Sequence, residues 1–409
     1  MKTCRTAVLS AAAAASIVAT AGTAVGGHST VAAPAGHAVV LVANSNDGPN
    51  NSNTGGSDKN KNKNKSKQAG GGTSRNSNND SNNNDNKAEA SGGGSTASNS
   101  NTTSDSNENR VKATRGGKAT NTNNGGFLFG GRGQKNKNTA QADGAGSTAT
   151  NTVTGSRNDS DAKATGGGTA TNTVTGDRND VETRAEHGGS AGALVAGSLG
   201  VGPGNNNKVE VTGDNAPATG TARGDGNTVD STAKDTTFGS RAFVVGNRNN
   251  ASALATGAGS LANAQAVGDD NTVSATNIHA GSQGSAAAFV VGNRNSSIAD
   301  ARGADSQAVS SVSGNGNKAS SIADGVGSSA TTSVEADNAR AEAEAHNGGT
   351  ANATANRPAT YARAYAIGTG STATATTDVA GAANDSALVS CTGTGHAVAY
   401  TSSGKFAFC

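Results

Sequence analysis

Residues Gly246–Asn277 read "GNRNNASALATGAGSLANAQAVGDDNTVSATN". Three glycines, Gly246, Gly257 and Gly268, stand 11 residues apart, and from the third residue after each the small side chains fall on alternate positions. The first set is Asn249, Ala251, Ala253 and Ala255; the second is Ser260, Ala262, Ala264 and Ala266; the third opens with Asn271, Val273 and Ala275. A period of two is strand periodicity, with one set of side chains turned inward. The glycine supplies a turn, where the backbone needs a positive φ or a close approach.

The same step extends in both directions. Gly202, Gly213 and Gly224 precede it, and Gly281, Gly292, Gly303, Gly314 and Gly325 resume it after a two-residue insertion between Ala275 and Gly281. The residue three after the glycine alternates in kind. Asn158, Asn179, Asn205, Asn227, Asn249, Asn271, Asn295 and Asn317 form one series, and Ser147, Thr169, Ala216, Ser260, Gly284, Ser306 and Ser328 the other. The unit is therefore a pair of halves, about 22 residues long. The spacing predicts an all-β, parallel β-solenoid or β-roll of two-strand coils over residues 113–404, with the asparagines stacked in a hydrogen-bonding ladder. "GKATNTN" and "FLFGG", between Gly117 and Gly131, read as a capping coil.

The heptapeptide "FVVGNRN" occurs at Phe243–Asn249 and again at Phe289–Asn295, 46 residues apart. Two coils and the insertion account for that distance, so both copies fall at equivalent places. Phe243, Val244, Val245, Phe289, Val290 and Val291 are expected to form an apolar contact patch between subunits.

Composition agrees with a thin fold. Hydrophobic residues are 32% of the chain and aromatic residues 2%, with 59 Gly and no Trp, so a core of large apolar side chains cannot be assembled. Net charge is +2, which gives no reason to expect nucleic-acid binding. Residues 25–112 are rich in Asn, Ser, Gly and Lys and predict a disordered tether. Its run Lys59, Lys61, Lys63, Lys65, Lys67 reads as a solvated block, with contact to an anionic surface as the sharper alternative.

Residues 1–24 have the pattern of a secretory signal peptide: Lys2 and Arg5, an apolar stretch from Ala7 to Thr20, and Ala19-Thr20-Ala21 as a cleavage pattern. No later segment is long and apolar enough to span a bilayer. In an oxidising, exported setting Cys391 and Cys409, the latter within the tail 405–409, read as a disulfide in preference to free thiols or an intermolecular link.

No grouping of residues announces an enzyme, a cofactor or a metal. The histidines, His28, His37, His187, His279, His346 and His396, are scattered. Asp residues in turns, as in "GDGN" and "GDDN", lack the repeated frame of a calcium-binding roll. Arg223-Gly224-Asp225 spells a receptor-type tripeptide, but the repeat itself accounts for two of its letters. Thr clusters at Ser147–Thr154, Thr169–Thr175 and Ser371–Thr377 are similar to the flat arrays of ice-binding β-solenoids; Leu261, Asn263, Gln265 and Gln307 interrupt such an array in intermediate coils.

The lines "GxxSxAxA" and "GxxNxAxA" resemble the YadA-like head repeats of trimeric autotransporter adhesins. The resemblance covers roughly Gly144 to Gly404 and implies a left-handed, parallel β-roll, trimeric, displayed outside the cell and used for adhesion. A heptad stalk and a membrane-anchor strand set are missing from the pattern, so no binding residue is carried over. The expectation is a secreted or cell-surface, non-enzymatic repeat protein, adhesin-like or structural in the envelope, whose partners are copies of itself and a host or envelope surface. The alternative is a ligand-binding module that uses one sheet face for polysaccharide or ice.

Overall fold

A computed structural model describes the strands between Ser29 and Tyr400 and parts of the turns that join them. Residues 1–28 and 401–409 lie outside the described residues, as do one or more residues of most connections, the longer stretches being 33–40, 103–107, 125–135, 197–207, 279–283 and 378–385. The chain divides into two units, Met1–Gly200 and Val201–Cys409. Each is a parallel β-solenoid whose coils give one strand to each of two sheets.

In the first unit one sheet runs through Thr73–Ser81, Thr96–Thr102, Lys118–Asn124, Thr148–Thr154, Thr169–Thr175 and Ala191–Ala196. The opposite sheet runs through Asn84–Ser91, Glu108–Thr114, Asn136–Asp143, Asn158–Thr165 and Asp180–Glu186. The second unit repeats the plan: Ser240–Val245, Leu261–Val267 and Ser285–Val291 lie in one sheet, and Asn250–Thr256, Thr272–Ile278 and Ser296–Arg302 in the other. Registers step by whole coils. Asn250 pairs with Thr272, and Thr272 with Ser296, so the register holds across the coil that carries the two-residue insertion.

Inward positions are those of the sequence alternation: Ala251, Ala253, Ala255, Ala262, Ala264, Ala266, Val273 and Ala275 are all buried. The largest fully buried side chains are valines, so the two sheets approach closely and Ala fills most of the space between them.

At the asparagine turns each side chain makes two kinds of bond. Its Nδ2 donates to the carbonyl of the glycine three residues earlier, in Asn227 to Gly224, Asn249 to Gly246, Asn271 to Gly268, Asn295 to Gly292 and Asn317 to Gly314. Its Oδ1 accepts the backbone N–H of the preceding coil's asparagine. Asn227 donates to Asn249 at 3.3 Å, Asn249 to Asn271 at 3.3 Å, Asn271 to Asn295 at 3.3 Å and Asn295 to Asn317 at 2.9 Å. In this unit the ladder is backbone to amide rather than amide to amide, because the Nδ2 is already held by its own turn. In the first unit Asn158 Nδ2 donates to Asn179 Oδ1 at 3.0 Å. Asn205 lies outside the described residues.

Two expectations are revised. Of the expected capping coil, "FLFGG" lies outside the described residues, and Lys118–Asn124 pairs along one edge with Thr96–Thr102 and along the other with Thr148–Thr154, so that strand lies inside the stack. The described part of residues 25–112, expected to be disordered, continues the coils: Glu108–Thr114 pairs with Asn136–Asp143, and Thr73–Ser81 with Thr96–Thr102. The physical reason is a polar interior. Asn76, Asn86, Asn99, Asn101 and Asn109 are buried there. Asn86 Nδ2 reaches Asn109 Oδ1 at 3.0 Å, and Asn109 Nδ2 reaches Asn138 Oδ1 at 2.9 Å. Buried amides that keep their hydrogen bonds do not need apolar neighbours.

The glycine column sets the strictest requirement. Gly268 has a φ of 132°, and a Cβ built on it would run into the Gly246 carbonyl oxygen. Gly268→Ala is expected to destabilise the fold by about 2–4 kcal/mol, from a backbone conformation reserved for glycine and from the clash. Gly192→Ala, where a Cβ meets nothing within 4 Å, is expected to change stability by less than about 1 kcal/mol. Urea unfolding of both variants checks this; equal losses would contradict the close-approach argument.

Candidate functional site

Outward positions carry no part of the ladder, and their chemistry differs from face to face. In the first unit the sheet containing Thr148–Thr154 presents hydroxyls. Thr148, Thr150, Thr152 and Thr154 stand in register with Thr169, Thr171, Thr173 and Thr175, and Thr120 and Thr122 with Thr150 and Thr152. The opposite sheet of the same coils is charged. Asp159, Asp161 and Lys163 face outward beside Asp180, Glu182 and Arg184. Lys163 Nζ lies 3.5 Å from Glu186 Oε1, and Arg184 Nε lies 2.7 Å from the same oxygen.

Beneath the threonine face runs an asparagine column absent from the sequence reading. Asn76 pairs with Asn99, Asn99 with Asn121, Asn121 with Asn151 and Asn151 with Asn172. Each amide crosses the interior to a backbone carbonyl of the other strand of its own coil. Asn76 donates to Lys87 at 2.8 Å, Asn99 to Arg110 at 3.1 Å, Asn121 to Thr139 at 2.6 Å and Asn172 to Glu182 at 2.7 Å; Asn151 donates to Asp161. The signal was the recurrence of Asn at one place in "KATNTNN" and in two copies of "TATNTVT". In the second unit hydroxyls make the crossing: Ser310 donates to Ser320 O at 2.7 Å, Ser321 to Thr331 O at 2.7 Å and Thr332 to Glu342 O at 2.6 Å.

The structure divides the "FVV" triplets. Val244 and Val290 are buried in the interior, so they belong to no surface patch; alternation places them opposite to their neighbours. Phe243, Val245, Phe289 and Val291 point outward; Val245, Val267 and Val291 form one column, and Phe243 and Phe289 flank Gln265 in the next. This is a contiguous apolar area, whereas Leu194, Ile278, Ile298 and Leu388 are exposed elsewhere among the described residues. The "GNRN" turns add a charge ladder, in which Asp270 Oδ2 lies 4.0 Å from Arg248 Nε and its Oδ1 3.9 Å from Arg294 Nη1. Both arginines are 82% exposed, so the ladder adds little stability and serves mainly to match like coils.

A second cluster lies on the paired strands Arg340–His346 and Tyr361–Ile367 of the second unit. The Arg340 guanidinium sits 5.2 Å from the Tyr361 ring centroid and that of Arg363 5.9 Å from Tyr365. His346 Nε2 is 2.8 Å from Glu344 Oε1. Among the described residues, no group of three or more His, Cys, Asp or Glu is placed to hold a metal ion, and no helix is long and apolar enough to cross a membrane. Cys391 lies in the strand Ser386–Thr392, but Cys409, and with it the expected pairing, lies outside the described residues. Asp225 and the side chains of Lys59–Lys67 also lie outside them.

Comparison with family models, with curated proteins and with solved structures finds no match to this chain.

Two carboxyls are held away from their ordinary state: Asp230, raised first by burial and then by the negative charge of Glu210, and Asp161. Burial against the sheet pushes Asp161 up to about 6, with the negative charges of Glu182 and Asp159 adding to the rise and Lys163 and Lys137 opposing it. A raised pKa in the folded state means that folding favours the protonated form. The folded state therefore pays a penalty at Asp161 above about pH 6 that fades toward about pH 4. Asp161→Asn is expected to raise the melting temperature at pH 7 and to lose that advantage near pH 4; a pH-independent difference between the two proteins would contradict the assignment.

Proposed function

We propose that the chain is a secreted or cell-surface, non-enzymatic scaffold, adhesin-like or structural in the envelope. The observation that carries this reading is the division of labour along each strand: inward residues and turns build the stack, while outward residues repeat a surface from coil to coil. A repeated surface binds or assembles by multiplicity, since many weak contacts act together. Export rests on the pattern of Lys2, Arg5 and the apolar stretch from Ala7 to Thr20.

Kinship with YadA-like heads is the finer reading. It is supported by the parallel coils of about 22 residues and by the glycine, asparagine and serine turns. The outward Phe243, Val245, Phe289 and Val291 are the surface through which copies of the chain associate, as a trimer if the kinship holds. Burying such a column against its equivalents in other copies removes apolar area from water, the usual drive for association.

Protease treatment of intact cells producing the full chain, with mass analysis of its N-terminus, tests display. The expected result is cleavage from outside and loss of residues 1–24; an intact, intracellular chain that retains them would overturn it. Light scattering on the exported protein tests assembly. A trimer mass reduced by Phe289→Lys with Val291→Lys supports the contact, and a monomer mass for the unaltered protein removes it.

A further inference from the structure

The hydroxyl face of the first unit is the more regular of two among the described residues; in the second unit Thr350, Asn352 and Thr354 stand in register with Thr372, Thr374 and Thr376. In the strands Thr148–Thr154 and Thr169–Thr175 every outward position is threonine, and the two strands are identical in sequence, TATNTVT. Thr120 and Thr122 extend two of the columns, and Ser98 and Ser100 extend them once more through the pairing of Thr96–Thr102 with Lys118–Asn124. The result is a grid with a repeat of about 4.8 Å from coil to coil and about 6.6 Å along each strand.

Strand propensity does not account for the grid. Threonine favours strands in general, yet the opposite sheet of the same coils carries Asp159, Asp161 and Lys163, then Asp180, Glu182 and Arg184, at the corresponding outward positions. The core supports the face from behind. Asn121, Asn151 and Asn172 lie inward of its middle and tie it to the other sheet in three successive coils. Such ties hold the threonines at fixed spacing. In the first unit the grid ends at Ala191–Ala196, which sets Gly192 and Leu194 beside Thr171 and Thr173; the interruptions at Leu261, Asn263, Gln265 and Gln307 fall in the second unit.

The chemistry of the grid selects its ligand. A plane without a cavity does not enclose a small molecule, so its partner has to be a repeating plane. Among the described side chains of the strands Lys118–Asn124, Thr148–Thr154 and Thr169–Thr175 only Lys118 is charged, so the partner is uncharged. No aromatic side chain occurs in these strands for a sugar ring to stack on. What remains is hydroxyls that hydrogen-bond and methyls that order the water between them. We infer that this threonine face binds the water lattice at an ice surface. The inference is independent of where the chain is displayed and of how many copies assemble.

Ice recrystallisation and ice-crystal shaping, measured with the full chain, test it. The unaltered protein is expected to suppress recrystallisation and to facet growing crystals. Thr150→Lys combined with Thr171→Lys is expected to reduce both effects sharply, leaving at most the contribution of the Thr350–Thr376 array of the second unit, while the circular dichroism spectrum stays that of the parent, since both side chains point outward. Lys163→Thr, on the charged sheet, is expected to leave both unchanged. An unaltered protein without effect on ice overturns the inference, as does equal loss in the Lys163→Thr variant. Sedimentation with crystalline cellulose or chitin, lost in the double variant and without any ice activity, also overturns it and reassigns the face to polysaccharide.

Discussion

Parallel, in-register stacking of one coil on the next is the constraint from which the other features of this molecule follow. When coils stack in register, every residue lies beside its equivalent, and whatever suits one coil must suit its neighbours. A glycine at a turn then abuts the carbonyl of the glycine in the adjacent coil, as Gly246 does with Gly224 and Gly292 with Gly268. A polar side chain inside becomes a column of polar side chains. Such columns persist only where each member finds a partner, which the asparagine turns and the cross-core amides provide. Because the sheets lie close, Ala and Val suffice for the apolar remainder, and hydrogen bonds carry more of the stability than in a conventional core.

The same constraint frees the surface. Outward side chains contribute little to the ladder, so they vary without loss of the fold, provided each tolerates its stacked neighbours. Asp270 between Arg248 and Arg294 is one such accommodation, with opposite charges alternating along the turn column. Hydroxyl, charged and apolar faces on one scaffold are the outcome, and a surface built this way offers area and repetition where an enzyme needs convergence on a point.

Most of the fold was legible in the spacing of glycines and the alternation after them, because both report local geometry: the turn needs a special backbone, and the strand sorts side chains by parity. Val244 and Val290 show where the reading stopped short. Their parity with Ala242 and Ala288 placed them inside, but the eye takes "FVV" as one apolar block. The coils upstream of residue 113 and the column Asn76, Asn99, Asn121, Asn151 and Asn172 were hidden for a different reason. Composition treats asparagine as a residue that must reach water, whereas here its amide reaches a carbonyl across the core. The threonine face was visible as the clusters Ser147–Thr154 and Thr169–Thr175; the register of Thr120, Thr150 and Thr171 shows that these form one grid, while the cluster Ser371–Thr377 belongs to the second unit.

If hydrogen-bonded columns rather than apolar burial hold the coils, the turn amides of Asn227, Asn249, Asn271 and Asn295 are as well protected as the strands, since each donates to the next asparagine side chain. Amide hydrogen exchange resolved at these residues measures it directly. The account predicts slow exchange at all of them, with Asn271→Ala releasing the Asn249 amide first. Exchange at the free-peptide rate at the turns, beside protected strands, would contradict it.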